Sequence, residues 1–159
     1  MPRLLRRHLT AIVIGAALCC ANAVAAVAQT PILSATEAAE RLADGSLILL
    51  DIRRPQEWAE SGVAQGAWPV SMHTQTFPAQ LQEILSRYDA SDIALICAVG
   101  GRTEYVTDIL RQNGVTGVWD LSEGMFGNGN APGWLARGLP VVTDSAAMAQ
   151  YEAARAEWK

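Results

Sequence analysis

Two four-residue apolar runs, each closed by a chemically distinctive residue, set the strongest limit on this chain's fold. Leu47-Ile48-Leu49-Leu50 ends at Asp51, and Ile93-Ala94-Leu95-Ile96 ends at Cys97. Neither run alternates apolar with polar residues, so each predicts a short strand covered on both faces. Between and around them lie helical patterns. Ser34-Ala35-Thr36-Glu37 is a capping box, with Ala38 and Leu42 behind it and Gly45 as a stop. Pro55 suits the first turn of a helix carrying Glu57 and Trp58. Leu81, Ile84, Leu85 and Tyr88 recur at helical spacing. Val106, Ile109 and Leu110 stripe a further helix that Gly114 ends.

Ala67 to Met72 and Val118 to Leu121 add two weaker strands. The stretch from Gly124 to Gly133 is rich in Gly and Asn and reads as loop. A short helical turn over Trp134 to Arg137 precedes Leu139-Pro140-Val141-Val142, and an alanine-rich helix begins near Ser145. Strands alternating with helices predict right-handed crossovers and an α/β fold. The expectation is a doubly wound parallel sheet of about five strands with helices on both faces. Such sheets place chemistry beyond the carboxyl ends of their strands. Those ends are Asp51, Ser71 to His73, Cys97, and Ser122 with Glu123.

The N-terminus carries a different message. Arg3, Arg6 and Arg7 precede an uncharged apolar stretch from Leu9 to Ala28, which ends in the small-x-small pattern Ala26-Val27-Ala28. This is the pattern of a secretory signal peptide cut after Ala28, the alternative being an uncleaved membrane anchor. The expected organisation is a signal peptide at 1–28, one domain at 29–144 and a helical tail at 145–159, in a periplasmic protein without stable membrane association after cleavage. The mature part then keeps nine basic and sixteen acidic residues, a formal charge of −7. That balance argues against nucleic acid as a partner. Cys19 and Cys20 leave with the leader, so Cys97 is the sole mature cysteine and has no internal disulfide partner. One Cys and one His without ligand spacing give no expectation of a metal, and no cofactor is expected.

Cys97 is followed by Ala98-Val99-Gly100-Gly101-Arg102-Thr103, a glycine loop that feeds a helix start. Inward amides and a helix N-terminus form a nest for negative charge and favour thiolate over thiol. The bland reading is a structural cysteine before an ordinary strand-to-helix turn. Cys97 and Arg102 are the candidate catalytic residues, residues 98 to 101 and Thr103 the candidate binding loop, and Asp51 and Arg53 candidate supports that brace it. Arg102 either binds a donor or braces the loop through a salt bridge to Asp51 or another edge carboxylate. His73 is a candidate proton donor, although a lone edge histidine is more often solvated. Trp58, Trp68 and Trp119 read as core, and Trp134 as a candidate wall of an apolar pocket.

At these residues the sequence resembles the rhodanese family of sulfurtransferases. Cys97, Gly100, Arg102 and Thr103 match a loop similar to C-x-x-G-x-R-[ST]. Asp51-Ile52-Arg53 resembles D-x-R, and Glu57-Trp58 with Gly62 to Ala67 resembles E-[FWY]…G-H-I-x-G-A. Gly133-Trp134 and Gly138-Leu139-Pro140-Val141 resemble the closing W…G-[LY]-P-V. The similarity runs from Ile32 to Val142. It departs at Val63, where the family has His, at Glu123, where Gly is common, and in the long loop from Gly124 to Gly133. The resemblance implies a Cys97 persulfide that takes a sulfane sulfur from thiosulfate or a persulfide and passes it to a thiol or other thiophile, including a protein thiol. Tyrosine-phosphatase-type loops have C-x5-R, one residue longer than the C-x4-R here, so loop length favours sulfur over phosphate. A non-catalytic sulfur-delivery module and a thiol redox sensor remain as alternatives.

Overall fold

The computed structural model describes residues 29–158. The signal peptide expected at 1–28 lies outside the described residues. No described helix is long and apolar enough to cross a membrane.

The chain runs α1 (Ala35–Ala43), β1 (Ile48–Asp51), α2 (Pro55–Ser61), β2 (Val63–Ala64), β3 (Trp68–Pro69), α3 (Phe77–Leu85), β4 (Ile93–Ile96), α4 (Gly101–Gln112), β5 (Trp119–Leu121), α5 (Gly133–Ala136), β6 (Val141–Val142) and α6 (Asp144–Ala156). The main sheet is parallel, with order β3-β1-β4-β5. It has four strands rather than the five expected. The remaining strand-like segments go elsewhere. Ile32 makes a single parallel bridge to Asp120 at the β5 edge, and β6 pairs antiparallel with β2 in a separate ribbon.

The apolar runs are covered on both faces. Leu49, Ala94, Ile96 and Leu121 pack in one core cluster with Ala38, Trp58 and Trp134. Leu50, Ile93, Leu95 and Cys97 belong to the other, with Leu81, Ile84 and Val106. Strand alternation therefore turns the Cys97 side chain toward the α3–α4 face. The β3 ladder is shorter than the apolar pattern from Ala67 to Met72, and it tolerates Pro69 because β3 is an edge strand and the missing N–H faces away from β1. The segment nevertheless stays extended beside β1, with the amides of Val70 and Met72 donating to Asp51 O and Ile52 O at 3.0 and 3.2 Å.

Two edges are closed by segments that lack a strong pattern in sequence. Pro31 to Leu33 bracket β5 through hydrogen bonds of 2.9 and 3.0 Å with Asp120. The helix expected as a tail, α6, packs instead on edge strand β3. Its Ala147 enters one core cluster and its Tyr151 the other. Tyr151 stacks near Trp68 with ring centroids 5.5 Å apart, and Trp158 joins the same aromatic group. An open edge beside an aromatic side chain invites pairing with other chains, and α6 removes that exposure.

Candidate functional site

β1 and β4 run side by side, with Asp51 opposite Ile96, so the ends of both apolar runs meet on one edge of the sheet. Cys97 leaves β4 there, only 1% exposed. The chain then turns back over it. The Gly100 amide donates to Cys97 Sγ at 3.2 Å, and Thr103 Oγ1 lies 4.0 Å from the sulfur while donating to Gly100 O at 2.7 Å. Gly100 has φ +97°, and a Cβ there would overlap the Ser122 carbonyl. Only glycine satisfies both conditions.

The loop is held from outside. Met125 N donates to Cys97 O and Phe126 N to Ala98 O, both at 2.9 Å. In a trans peptide the carbonyl and the following amide point in opposite directions. The amides of Ala98 and Val99 are thereby turned away from the 125–126 segment. Close approach of the two segments requires Gly124, whose Cβ would overlap the Ala98 carbonyl. Among the described residues, no group accepts a hydrogen bond from the amides of Ala98, Val99, Gly101, Arg102 or Thr103. The loop thus holds one amide on the sulfur and several free donors at the start of α4.

Arg102 points to α2. Its guanidinium grips Glu57 with two hydrogen bonds of 2.7 Å. Asp51, one of the partners considered for it, is already taken, because Arg53 binds it through Nε and Nη2 at 2.7–3.0 Å. Both members of that pair are fully buried. Arg53 also donates to Ser61 Oγ and Gly62 O at 2.7 Å, tying the end of β1 to the end of α2. Removing one partner of such a buried pair costs about 3–5 kcal/mol. The brace therefore runs from β1 through Arg53 to α2, and from Glu57 on α2 to Arg102 beside the loop.

Arg102 also sets the local electrostatics. Its hydrogen bonds hold the Glu57 carboxyl down at about 2 against the cost of burial, and Glu57 in turn raises the pKa of Arg102. His73 Nε2 is 3.5 Å from Arg102 Nη1. Desolvation first, then the charges of Arg54 and Arg102, lower the pKa of the exposed His73. Arg102 can only donate, so this contact needs a neutral imidazole with its lone pair on Nε2. His73 is thus poorly placed to act as the proton donor considered from sequence.

Two further expectations change. Trp134 is fully buried in the cluster opposite Cys97, with Nε1 donating to Pro140 O at 3.0 Å, and is core rather than a pocket wall. Glu123 does not face the sulfur. Its carboxylate receives the amides of Ala35 and Gly133 at 2.7 and 3.0 Å, and Arg137 Nε at 2.9 Å. Burial raises its pKa, but the Ala35 amide, Arg137 and the Gly133 amide outweigh this and hold it low. The residue thus anchors the long Gly/Asn loop to α1 and α5. Glu57 and Glu123 carry roles that periodicity does not reveal. A cavity of about 820 Å³ between α3 and α4 is apolar and is lined by none of residues 97–103.

A rhodanese-like domain model matches residues 34–130. The chain belongs to the rhodanese-like family. Solved structures agree with this fold. A protein of Anabaena sp. is 20% identical over 80% of this chain and 94% of its own, with a TM-score of 0.57. The polysulfide-sulfur transferase homodimer of Wolinella succinogenes is 22% identical over 73% of this chain and 80% of its own, with a TM-score of 0.54. A protein of M. tuberculosis is 22% identical over 71% and 97%, with a TM-score of 0.51. No curated protein matches the sequence. Membership supports sulfur transfer at the level of the family, which also includes non-catalytic domains. Within this rhodanese-like domain, Val63 in place of His is fully buried in β2 and paired with Val142, where an apolar side chain packs without an unsatisfied nitrogen.

The Glu57–Arg102 pair makes a pH-dependent prediction. A carboxylate with a depressed pKa stabilises the fold above its unfolded value and loses that contribution as pH falls toward its folded value. For Glu57 the window runs from 4.5 down to about 2. Because the pair is partly solvated, Glu57→Gln is expected to cost about 1–2 kcal/mol at pH 7 rather than the full value implied by the shift. Urea unfolding of both proteins between pH 7 and pH 3 checks this. The gap should narrow below pH 4.5, and a gap that stays constant contradicts the assignment.

Proposed function

We propose that the domain is a sulfurtransferase that carries sulfane sulfur as a persulfide on Cys97. The observation that carries this reading is the Gly100 amide on Cys97 Sγ at 3.2 Å, within a loop whose neighbouring amides have no acceptor among the described residues. Donors grouped around one buried sulfur suit an anion of about one atom. The family and the resemblance of the fold to a polysulfide-sulfur transferase support the same chemistry.

In the first half-reaction the Cys97 thiolate attacks the sulfane sulfur of the donor. The donor's bond to that sulfur breaks, and the electron pair leaves with the donor remnant, which is sulfite when the donor is thiosulfate. In the second, an acceptor thiolate attacks the outer sulfur and returns Cys97 to thiolate. This is covalent catalysis in two displacements. The loop amides stabilise the persulfide anion in place, and loss of one such donor typically costs about 10²–10³ in rate. Arg102 acts as a positioning residue, since both of its outer nitrogens are committed to Glu57. With no free cation on the loop and a net negative mature chain, thiosulfate is the weaker donor and uncharged or thiol-linked sulfane donors the better ones.

We also propose that the protein is exported and begins at Gln29 after cleavage, on the strength of its basic start and the Ala26-Val27-Ala28 pattern. The intact mass of protein recovered from a periplasmic fraction tests this; a chain still starting at Met1 and fractionating with membrane refutes it.

Incubation with polysulfide or thiosulfate should add one sulfur atom to the intact mass of the wild-type protein. Cys97→Ser should gain none and should lose at least 10³-fold in turnover with an unchanged circular dichroism spectrum. Oxygen gain without sulfur gain would make Cys97 a redox sensor, and substantial turnover by the serine variant would remove it as the sulfur carrier.

A further inference from the structure

A second cavity, of about 420 Å³, lies against the loop and is lined by neither Glu57 nor Arg102. Val99, Gly100 and Gly101 form one wall, and Glu104, Asp108 and Asp120 contribute three carboxylates. Only Asp108 has a cationic partner among the described residues, Arg111 at 3.1 Å near the surface. Asp120, at the end of β5, is only 4% exposed, and its Oδ1 has no hydrogen-bond partner. Burial pushes the Asp120 carboxyl up to about 6, and Glu104 and Asp108 add to the rise while the Thr103 hydroxyl offsets part of it. The three acidic groups therefore feel one another across this space. A buried carboxylate oxygen without a donor is costly, and a cationic donor entering the cavity relieves both the missing hydrogen bond and the repulsion.

We propose that this acidic cavity makes the sulfur-transfer site prefer acceptor thiols that carry a protonated primary amine. The inference rests on the persulfide reading of Cys97 and goes further by naming the acceptor class. A primary ammonium is compact and has three N–H donors, which suits carboxylates arriving from α4 and β5. Val99 is 52% exposed and Ile32 60% exposed, so both offer apolar surface to short methylene chains. Gly101 leaves open space where a side chain would stand, with nothing within 4 Å of a Cβ position. Gly100 lines the cavity and also places its amide 3.2 Å from Cys97 Sγ, so the cavity and the sulfur share this residue. No group of His, Cys, Asp or Glu among the described residues is gathered to hold a metal ion.

In the transfer, the acceptor's thiol proton is lost to solvent. Its sulfur then attacks the outer sulfur of the Cys97 persulfide, the persulfide S–S bond breaks, and its electron pair returns to Cys97 as thiolate. The acceptor leaves as a persulfide with its ammonium unchanged, and no outside oxidant or reductant is consumed.

The mature protein, loaded with sulfur from polysulfide, is discharged with cysteamine, 2-mercaptoethanol or mercaptoacetate, three thiols of similar size carrying a positive charge, no charge and a negative charge. Rates are compared between the wild type and Glu104→Gln/Asp108→Asn, whose positions are exposed and half-buried and serve no core contact. At low salt the double variant should discharge cysteamine about five-fold more slowly, 2-mercaptoethanol at an unchanged rate and mercaptoacetate faster, with the differences shrinking as salt rises. Because each thiol is compared with itself, differences in intrinsic thiol reactivity cancel. A cysteamine to 2-mercaptoethanol ratio that is the same in both proteins overturns the cavity proposal and leaves the persulfide reading standing. Failure of the wild type to take up sulfur at all overturns both.

Discussion

Two hydrogen bonds from the 125–126 segment to the carbonyls of Cys97 and Ala98 carry much of this site. They fix which way the peptide planes face, and a peptide plane that presents its carbonyl outward must present its amide to the other side. Two glycines allow the segments to approach. Gly100 lies against Ser122, and Gly124 lies against the Ala98 carbonyl. Replacing either would push the loop away from the segment that orients it. The sheet contributes the platform, but the polarity of the loop comes from this contact between the β4–α4 and β5–α5 connections.

The charged residues around the loop divide into a closed side and an open side. On the closed side, Asp51–Arg53 and Glu57–Arg102 are matched pairs, each with its hydrogen bonds filled by α2 or its neighbours. These pairs hold position and leave little free charge for a ligand. On the other side, Glu104 and Asp120 have no cationic partner among the described residues. The asymmetry separates positioning from selectivity, because paired charges are locally neutral while unpaired ones create a field that a charged thiol can feel.

The strand ends at Asp51 and Cys97 are legible in sequence because both follow runs with an unmistakable pattern, and β1 pairs in register with β4. The helix stops and starts at Ser34, Pro55 and Gly114 were legible for the same local reasons. What escaped is non-local. Glu57 and Arg102 are 45 residues apart, and no periodicity links them. Asp51 looked available to Arg102, but Arg53 two residues away satisfies it first. Glu123 sits at the active edge in sequence, yet its carboxylate is turned to the amides of Ala35 and Gly133. In α6 the alanine-rich composition hid a core contact whose sequence trace is Ala147, Tyr151 and Ala154 at i, i+4 and i+7.

The claim that the loop amides hold a sulfur anion is tested most directly by ¹H–¹⁵N spectra of the labelled protein before and after loading with sulfur. An amide proton that gains an anionic acceptor moves downfield as its hydrogen bond shortens. The amides of Ala98, Val99, Gly100 and Gly101 should shift strongly on persulfide formation, return when an acceptor thiol discharges the sulfur, and stay still in Cys97→Ser. Sulfur uptake with these four resonances unmoved would mean that the loop does not cradle the persulfide.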